Sequence, residues 1–111
     1  MIWRGEIYDV DVDQPVGHEP AFRRPAVVIS VDIVNNGPGG LVMVVPMTSA
    51  AYGLRSHVEL EPGSGGLGHT SYARCDQLRV ISTERVASRR GTVTPDQMRS
   101  IDQALRFVLD L

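Results

Sequence analysis

Lysine is missing from this chain altogether: all 11 basic residues are arginine. Every positive charge is therefore a planar, permanently charged fork suited to carboxylate or phosphate. Codon usage in a GC-rich genome is the simpler explanation of the bias, and the consequence holds either way. Cysteine is nearly missing too. The single Cys75 excludes an intrachain disulfide and fits a reducing cytoplasm. No apolar run approaches ~18 residues, and acids interrupt the N-terminus from Glu6 onward, so neither a membrane span nor a signal peptide is expected. A dominant charge is also lacking. The formal net charge of −2 gives no bulk electrostatic case for nucleic-acid binding. Aromatics are scarce at 5%: Trp3, Tyr8, Phe22, Tyr52, Tyr72 and Phe107.

What is present suits one domain, residues 1–111, with one modest core. Ile2 to Val12 alternates, with Tyr8, Val10 and Val12 on one face and Ile7, Asp9, Asp11 and Asp13 on the other. That period reads as a half-buried strand. Residues 14–24 read as a loop, in which Pro25 holds Arg24 extended. A second strand is expected over 26–31, a turn at NNGPGG (35–40), and a fully buried third strand over 41–48. Further strands are expected over 57–61, over 71–81 without a break, and over 91–93. Thr94, Pro95 and Gln97 supply N-cap, first-turn proline and capping-box partner for a helix carrying Met98, Ile101, Leu105 and Val108. The fold class expected is mainly β with a C-terminal helix, built as a small, curved antiparallel sheet or barrel.

Several motifs mislead. Gly63 to Gly68 matches G-x-G-x-x-G literally, but strand follows where a dinucleotide site needs a helix N-terminus. DVDVD (9–13) opens like a calcium loop, yet Gln14 stands where the sixth-position glycine belongs. His57 and His69 lack metal-ligand spacing and read as exposed or lightly hydrogen-bonded. Cys75 reads as a small buried residue. No metal and no cofactor are expected.

Three places remain: the loop His18-Glu19 to Arg23-Arg24-Pro25, the strand end Pro46 to Ser49, and Arg74-Cys75-Asp76-Gln77. On an unbroken strand Arg74 and Asp76 share a face with Tyr72 and Leu78, while Cys75 points the other way. Taken alone, the Arg74–Asp76 pair could be a surface ion pair worth ~0–1 kcal/mol. In order, however, RGEIYDVD, GHEP…RRPAVVIS, VVPMTS and RCDQLRVIS resemble the MazF/PemK toxin endoribonucleases, from Trp3 to about Leu109. GTVTP at the helix entry also fits.

The resemblance implies an SH3-like barrel with a C-terminal helix, shared with the CcdB gyrase poisons. It also implies a homodimer, a cognate antitoxin partner, and metal-independent cutting of single-stranded RNA in the cytoplasm. One branch of the family assigns catalysis to positions matched by Arg24 and Thr48, the other to positions matched by His18, Arg74 and Asp76; this chain has both sets. Glu19 matches a loop acid and Gln77 completes a D-Q pair. The segment Pro20-Ala21-Phe22 and His69 depart from the family pattern, which bears on the RNA sequence recognised more than on the reaction.

Cleavage by 2′-hydroxyl attack needs a base, an acid and cations for the phosphorane. Arginine holds its proton too tightly to be a ready base. Arg24 and Arg74 are therefore expected to clamp the scissile phosphate, with Thr48 donating to a phosphate oxygen and Asp76 and His18 moving protons. Bases of single-stranded RNA stack on aromatic planes, for which Phe22, Tyr52 and Tyr72 are candidates, with Arg23, Arg55 and Arg79 as phosphate contacts. A CcdB-like, non-enzymatic gyrase poison is the alternative. That branch relies on a tryptophan near its C-terminus, whereas the only Trp here is Trp3.

Overall fold

Why these residues curl into one sheet is clearest from β1 (Glu6–Asp13), whose two sides are both buried. Ile7 joins one apolar cluster with Val27, Val45 and Ile101, and Tyr8 and Val10 join another with Ala26, Val28 and Val44. The expected half-buried strand is thus covered on both faces over its first half, and among the described side chains Asp9 and Asp11 keep the polar side of the alternation. A computed structural model describes residues 1–13, 22–63 and 66–111.

The remaining elements are β2 (Phe22–Val28), α1 (Asp32–Asn35), β3 (Leu41–Thr48), β4 (His57–Leu60), β5 (Ser71–Arg74), β6 (Arg79–Ser82), β7 (Val86–Thr92) and α2 (Pro95–Leu109). All described pairings are antiparallel, in the order β4-β5-β3-β2-β1-β7, with β6 also on β3. The path is open between β4 and β7, yet its ends approach each other. A Cβ built on Gly66, in the β4–β5 connection, would lie 2.2 Å from the Arg90 carbonyl oxygen on β7. Leu67, the next residue, is 3% exposed and belongs to the cluster under α2.

Helix α2 seals that cluster. Thr94 and Gln97 form the reciprocal capping box, Pro95 opens the first turn, and Ile101 and Ala104 are buried. Such a cap contributes about 1 kcal/mol. Asp110, in the left-handed region at φ 57°, ends the helix with its N–H on the Arg106 carbonyl. The helix leaves Cys75 fully buried, and burial pushes its thiol up to about 12. No described helix is long and apolar enough to cross a membrane.

Four expectations need correction. First, β2 begins at Phe22, so Arg23 and Arg24 belong to a strand. Pairing continues past the proline because Asp11 faces Arg23 across the ladder and binds its Nε at 2.9 Å. Second, β2 ends at Val28, and Asp32–Asn35 form a short helix held to the N-terminal segment by Arg4 N–H on Asp32 and by Asn36 on Ile2. Third, β7 starts at Val86, well before residue 91, because it pairs along β1 from Val10 to Glu6. Fourth, residues 71–81 are not one strand. β5 and β6 lie along the same edge of β3, but their registers differ: Met47 opposes Ala73, so an unbroken strand would set residue 76 opposite Val44, where Arg79 stands instead. The difference of three residues is looped out as a 3-10 turn, Cys75–Gln77. Arg74 and Asp76 therefore do not share a strand face.

Glu6 offers a direct test of how the sheet is fastened. It is 6% exposed, and its carboxylate accepts the Trp3 N–H at 2.6 Å and the Tyr8 hydroxyl at 3.1 Å, and is paired with Arg89 of β7. Burial alone would raise its pKa; the three donors outweigh burial and hold it below the ordinary 4.5. A lowered folded pKa gives stability that is present above the unfolded value and lost as pH falls through the folded one. Glu6→Gln should therefore be less stable than wild type in urea at pH 7. The gap should close progressively below about pH 4.5. A gap unchanged down to pH 3 would mean that the carboxylate charge does not fasten β1 to β7.

Candidate active site

Ala26 on β2 lies opposite Pro46 on β3. One two-residue step further along each strand stand Arg24 and Thr48, on the same face as that pair. Both line an open cleft of about 530 Å³, with Ser49, His69, Ser71 and Arg90 also on its wall. Strand pairing and Pro25 together fix the extended backbone at Arg24. Thr48 closes β3, and its Oγ1 accepts the Ala50 amide at 3.2 Å, which directs the hydroxyl hydrogen elsewhere. Arg90 is tied to Asp9 at 3.3 Å.

A second group adjoins the first. Tyr72 on β5 lies opposite Thr48, and Arg74 lies opposite His57 on β4. Antiparallel partners share a face, as do residues two apart, so Thr48, Tyr72, Arg74 and His57 stand on one side of the sheet. The half-exposed ring of Tyr52 packs edge-on to His57, with centroids 5.7 Å apart and planes at 88°. The Arg74 guanidinium carbon lies 5.5 Å from the same ring's centroid, within cation–π range. Asp76 reaches back from the 3-10 turn to place Oδ1 3.1 Å from His57 Nε2. Two atoms in this group, Arg74 Nε and His57 Nδ1, are buried without a hydrogen-bond partner. Arg74 Nε–H is a fixed donor; an orphaned buried donor costs about 1–3 kcal/mol, and is the kind of group that a ligand oxygen or water satisfies. Among the described residues no three His, Cys, Asp or Glu side chains come together so as to hold a metal ion.

A cleft lined by the guanidinium residues Arg24 and Arg90 and by the hydroxyl residues Thr48, Ser49 and Ser71, with Arg74 beside it, suits a phosphodiester better than a neutral ligand. The sequence pattern of the PemK-like, MazF-like toxins of type II toxin–antitoxin systems matches residues 3–109. The chain belongs to this toxin family. Endoribonuclease MazF9 of Mycobacterium tuberculosis is 38% identical over 116 positions, spanning 100% of this chain and 98% of its own. Endoribonuclease EndoA of Bacillus subtilis is 29% identical, spanning 100% and 97%. A crystal structure of MazE–MazF from Deinococcus radiodurans is 25% identical, covers 99% of this chain and 96% of that chain, and superposes with a TM-score of 0.81. The open sheet with its C-terminal helix is therefore a MazF fold.

On this MazF-like scaffold the expected residues divide. Arg24 and Thr48 meet in the cleft, and Tyr52, Tyr72, Arg74 and Asp76 gather beside it. Arg55 does not join them, because its guanidinium sits 4.2 Å from the Phe107 ring on α2. Arg23 is bound to Asp11. Gln77 is exposed in the 3-10 turn, and Arg79 opens β6 opposite Val44. His18, Glu19 and the side chain of Phe22 lie outside the described residues.

The sequence singled out neither Ser71 nor Arg90, took Ser49 only as the end of the Pro46–Ser49 segment, and gave His57 and His69 no part in the site. His57 follows the hydrogen-bonded alternative and not the exposed one: its side chain is 3% exposed and bound to Asp76. No local motif marks it, since its partners stand 17 and 19 positions away and depend on the β4–β5 register. That register follows from setting the alternation of HVEL against that of SYAR across the intervening turn.

Proposed function

We propose that this chain is the toxin of a type II toxin–antitoxin system and cleaves single-stranded RNA by 2′-hydroxyl attack. The observation that carries the reading is the junction at Thr48 and Tyr72, where the Arg24–Thr48 cleft meets the Arg74–Asp76 group. In this reading the 2′-oxygen attacks phosphorus and the bond from phosphorus to the 5′-oxygen breaks. The products are a 2′,3′-cyclic phosphate and a 5′-hydroxyl. Arg24 and Arg74 neutralise the oxygens on which charge develops, and Thr48 donates to one of them. Asp76 and His18 exchange the two protons, one taken from the 2′-hydroxyl and one delivered to the leaving oxygen. No step requires a metal ion.

Tyr52, half exposed beside Arg74, and Tyr72 supply planes on which bases stack, with Phe22 as a third candidate. Glu19, Gln77 and Arg79 are the remaining contacts with RNA. The engagement of Arg55 with Phe107 and of Arg23 with Asp11 places those two lower. A second copy of the chain completes the RNA groove. A cognate antitoxin then covers it with an acidic segment that orders on binding.

The test is cleavage of a long single-stranded RNA in EDTA by the wild type beside an Arg24→Ala/Asp76→Ala variant. Discrete fragments with 5′-hydroxyl ends are expected from the wild type alone. Intact RNA in both lanes, across many sequences, would overturn the reading and make inhibition of gyrase the next assay.

A further inference from the structure

Asp76 is placed by a three-residue turn on an exposed surface, and among the described residues its carboxylate is held by one hydrogen bond, from His57. His57 itself is firmly fixed. Its backbone N–H donates to the Leu54 carbonyl at 3.0 Å, its strand partner is Arg74, and the Tyr52 ring packs edge-on against its imidazole. The Cys75 amide donates to the Ser56 carbonyl at 3.0 Å, pinning the start of the turn to the residue just before His57. The imidazole and the turn are therefore one unit.

We infer that His57 is a positioning residue: its Nε2–H fixes the Asp76 carboxylate, and its contact with Tyr52 sets that carboxylate relative to the Arg74 guanidinium. The inference rests on the ribonuclease reading above. Nδ1 is buried and unpartnered. A proton there would be an unmatched buried donor, so the ring is the Nε2–H tautomer, which needs only to donate. A glutamine amide nitrogen reaches the place of Nε2 and can make the same bond. Asparagine stops near Nδ1 and cannot.

The test uses single-turnover cleavage of an RNA cut by the wild type. The rates compared are those of wild type, His57→Gln, His57→Phe, Asp76→Ala and His57→Phe/Asp76→Ala, with melting temperatures for each. Phenylalanine keeps the ring against Tyr52 but loses the donor. It is expected to slow cleavage by roughly 30-fold, the scale of a misplaced catalytic group. Glutamine should restore the rate to within about 3-fold. The double variant should be no more than about 3-fold slower than Asp76→Ala, because residues acting through one another are not additive. If phenylalanine prevents folding, His57→Asn replaces it in both arms. Near-normal cleavage by His57→Phe, glutamine as slow as phenylalanine, or full additivity with Asp76→Ala would each overturn the inference while leaving the reaction standing. Full activity of Asp76→Ala, or no cutting by the wild type, would remove the underlying reading and the inference with it.

Discussion

Arg74→Lys is expected to slow RNA cleavage about 100-fold, the scale seen when one charge-stabilising donor is removed from a preorganised site, while melting within a few degrees of wild type. The asymmetry follows from the environment of Arg74. Its Nε is buried with no partner, and its guanidinium has the Tyr52 ring as its described neighbour. Little of the fold depends on that polar end. What depends on it is a fork able to bind two phosphate oxygens at once, which an ammonium replaces with a single point charge. Lysine keeps the charge, so substrate affinity should fall less than the rate of the chemical step. A loss of less than about 3-fold in kcat/KM would remove Arg74 from the clamp.

The second large effect concerns stability. Gly66→Ala should lower the unfolding free energy by about 2–4 kcal/mol, the range of strained backbone and overpacked sites. For a domain of this size that is a fall of roughly 10–20 °C in Tm. Gly66 combines φ +76° with a Cβ position 2.2 Å from the Arg90 carbonyl oxygen and 3.1 Å from its carbon. Neither atom can swing aside, because both are backbone of β7. The neighbouring Leu67 anchors the core, and Leu67, Gly68 and His69 line the cleft, so activity should fall along with stability. Gly68→Ala is the matched control. A Cβ there meets nothing within 4 Å and should change Tm by only a few degrees. Equal melting of the two variants would mean that the β4–β5 connection is not seated on β7.

Local chemistry made the helix and the central strands readable. Thr94, Pro95 and Gln97 act where they stand in sequence, and the apolar run of β3 needs only burial on two faces. Thr48 closes a recognisable strand, whereas Arg24, read as the end of a loop, lies within β2; their pairing as a site came from the family resemblance and not from local chemistry. What failed was everything that depends on register. Val86 to Arg90 carries two arginines and little alternation, and becomes strand only because β1 offers it an edge. RCDQLRV kept the composition of a strand while three of its residues left the ladder. His57 read as an exposed or lightly hydrogen-bonded histidine because its partners, Arg74 on β5 and Asp76 in the turn that follows, lie beyond a ten-residue connection.

The odd length of the Cys75–Gln77 excursion has a consequence for how this segment can vary. Side chains on a strand change side at every residue, so three looped-out residues invert the parity of all that follow. Ala73 accordingly faces the cluster beneath α2, whereas Ile81, also odd-numbered, faces the opposite cluster with Val42 and Val44. One length of chain thereby serves both interiors. Insertions or deletions here are constrained to pairs: losing a single residue would turn Ile81 outward and drive the exposed Val80 and its neighbours to the wrong side. The turn that presents Asp76 can tolerate many changes of identity, but its length is fixed modulo two.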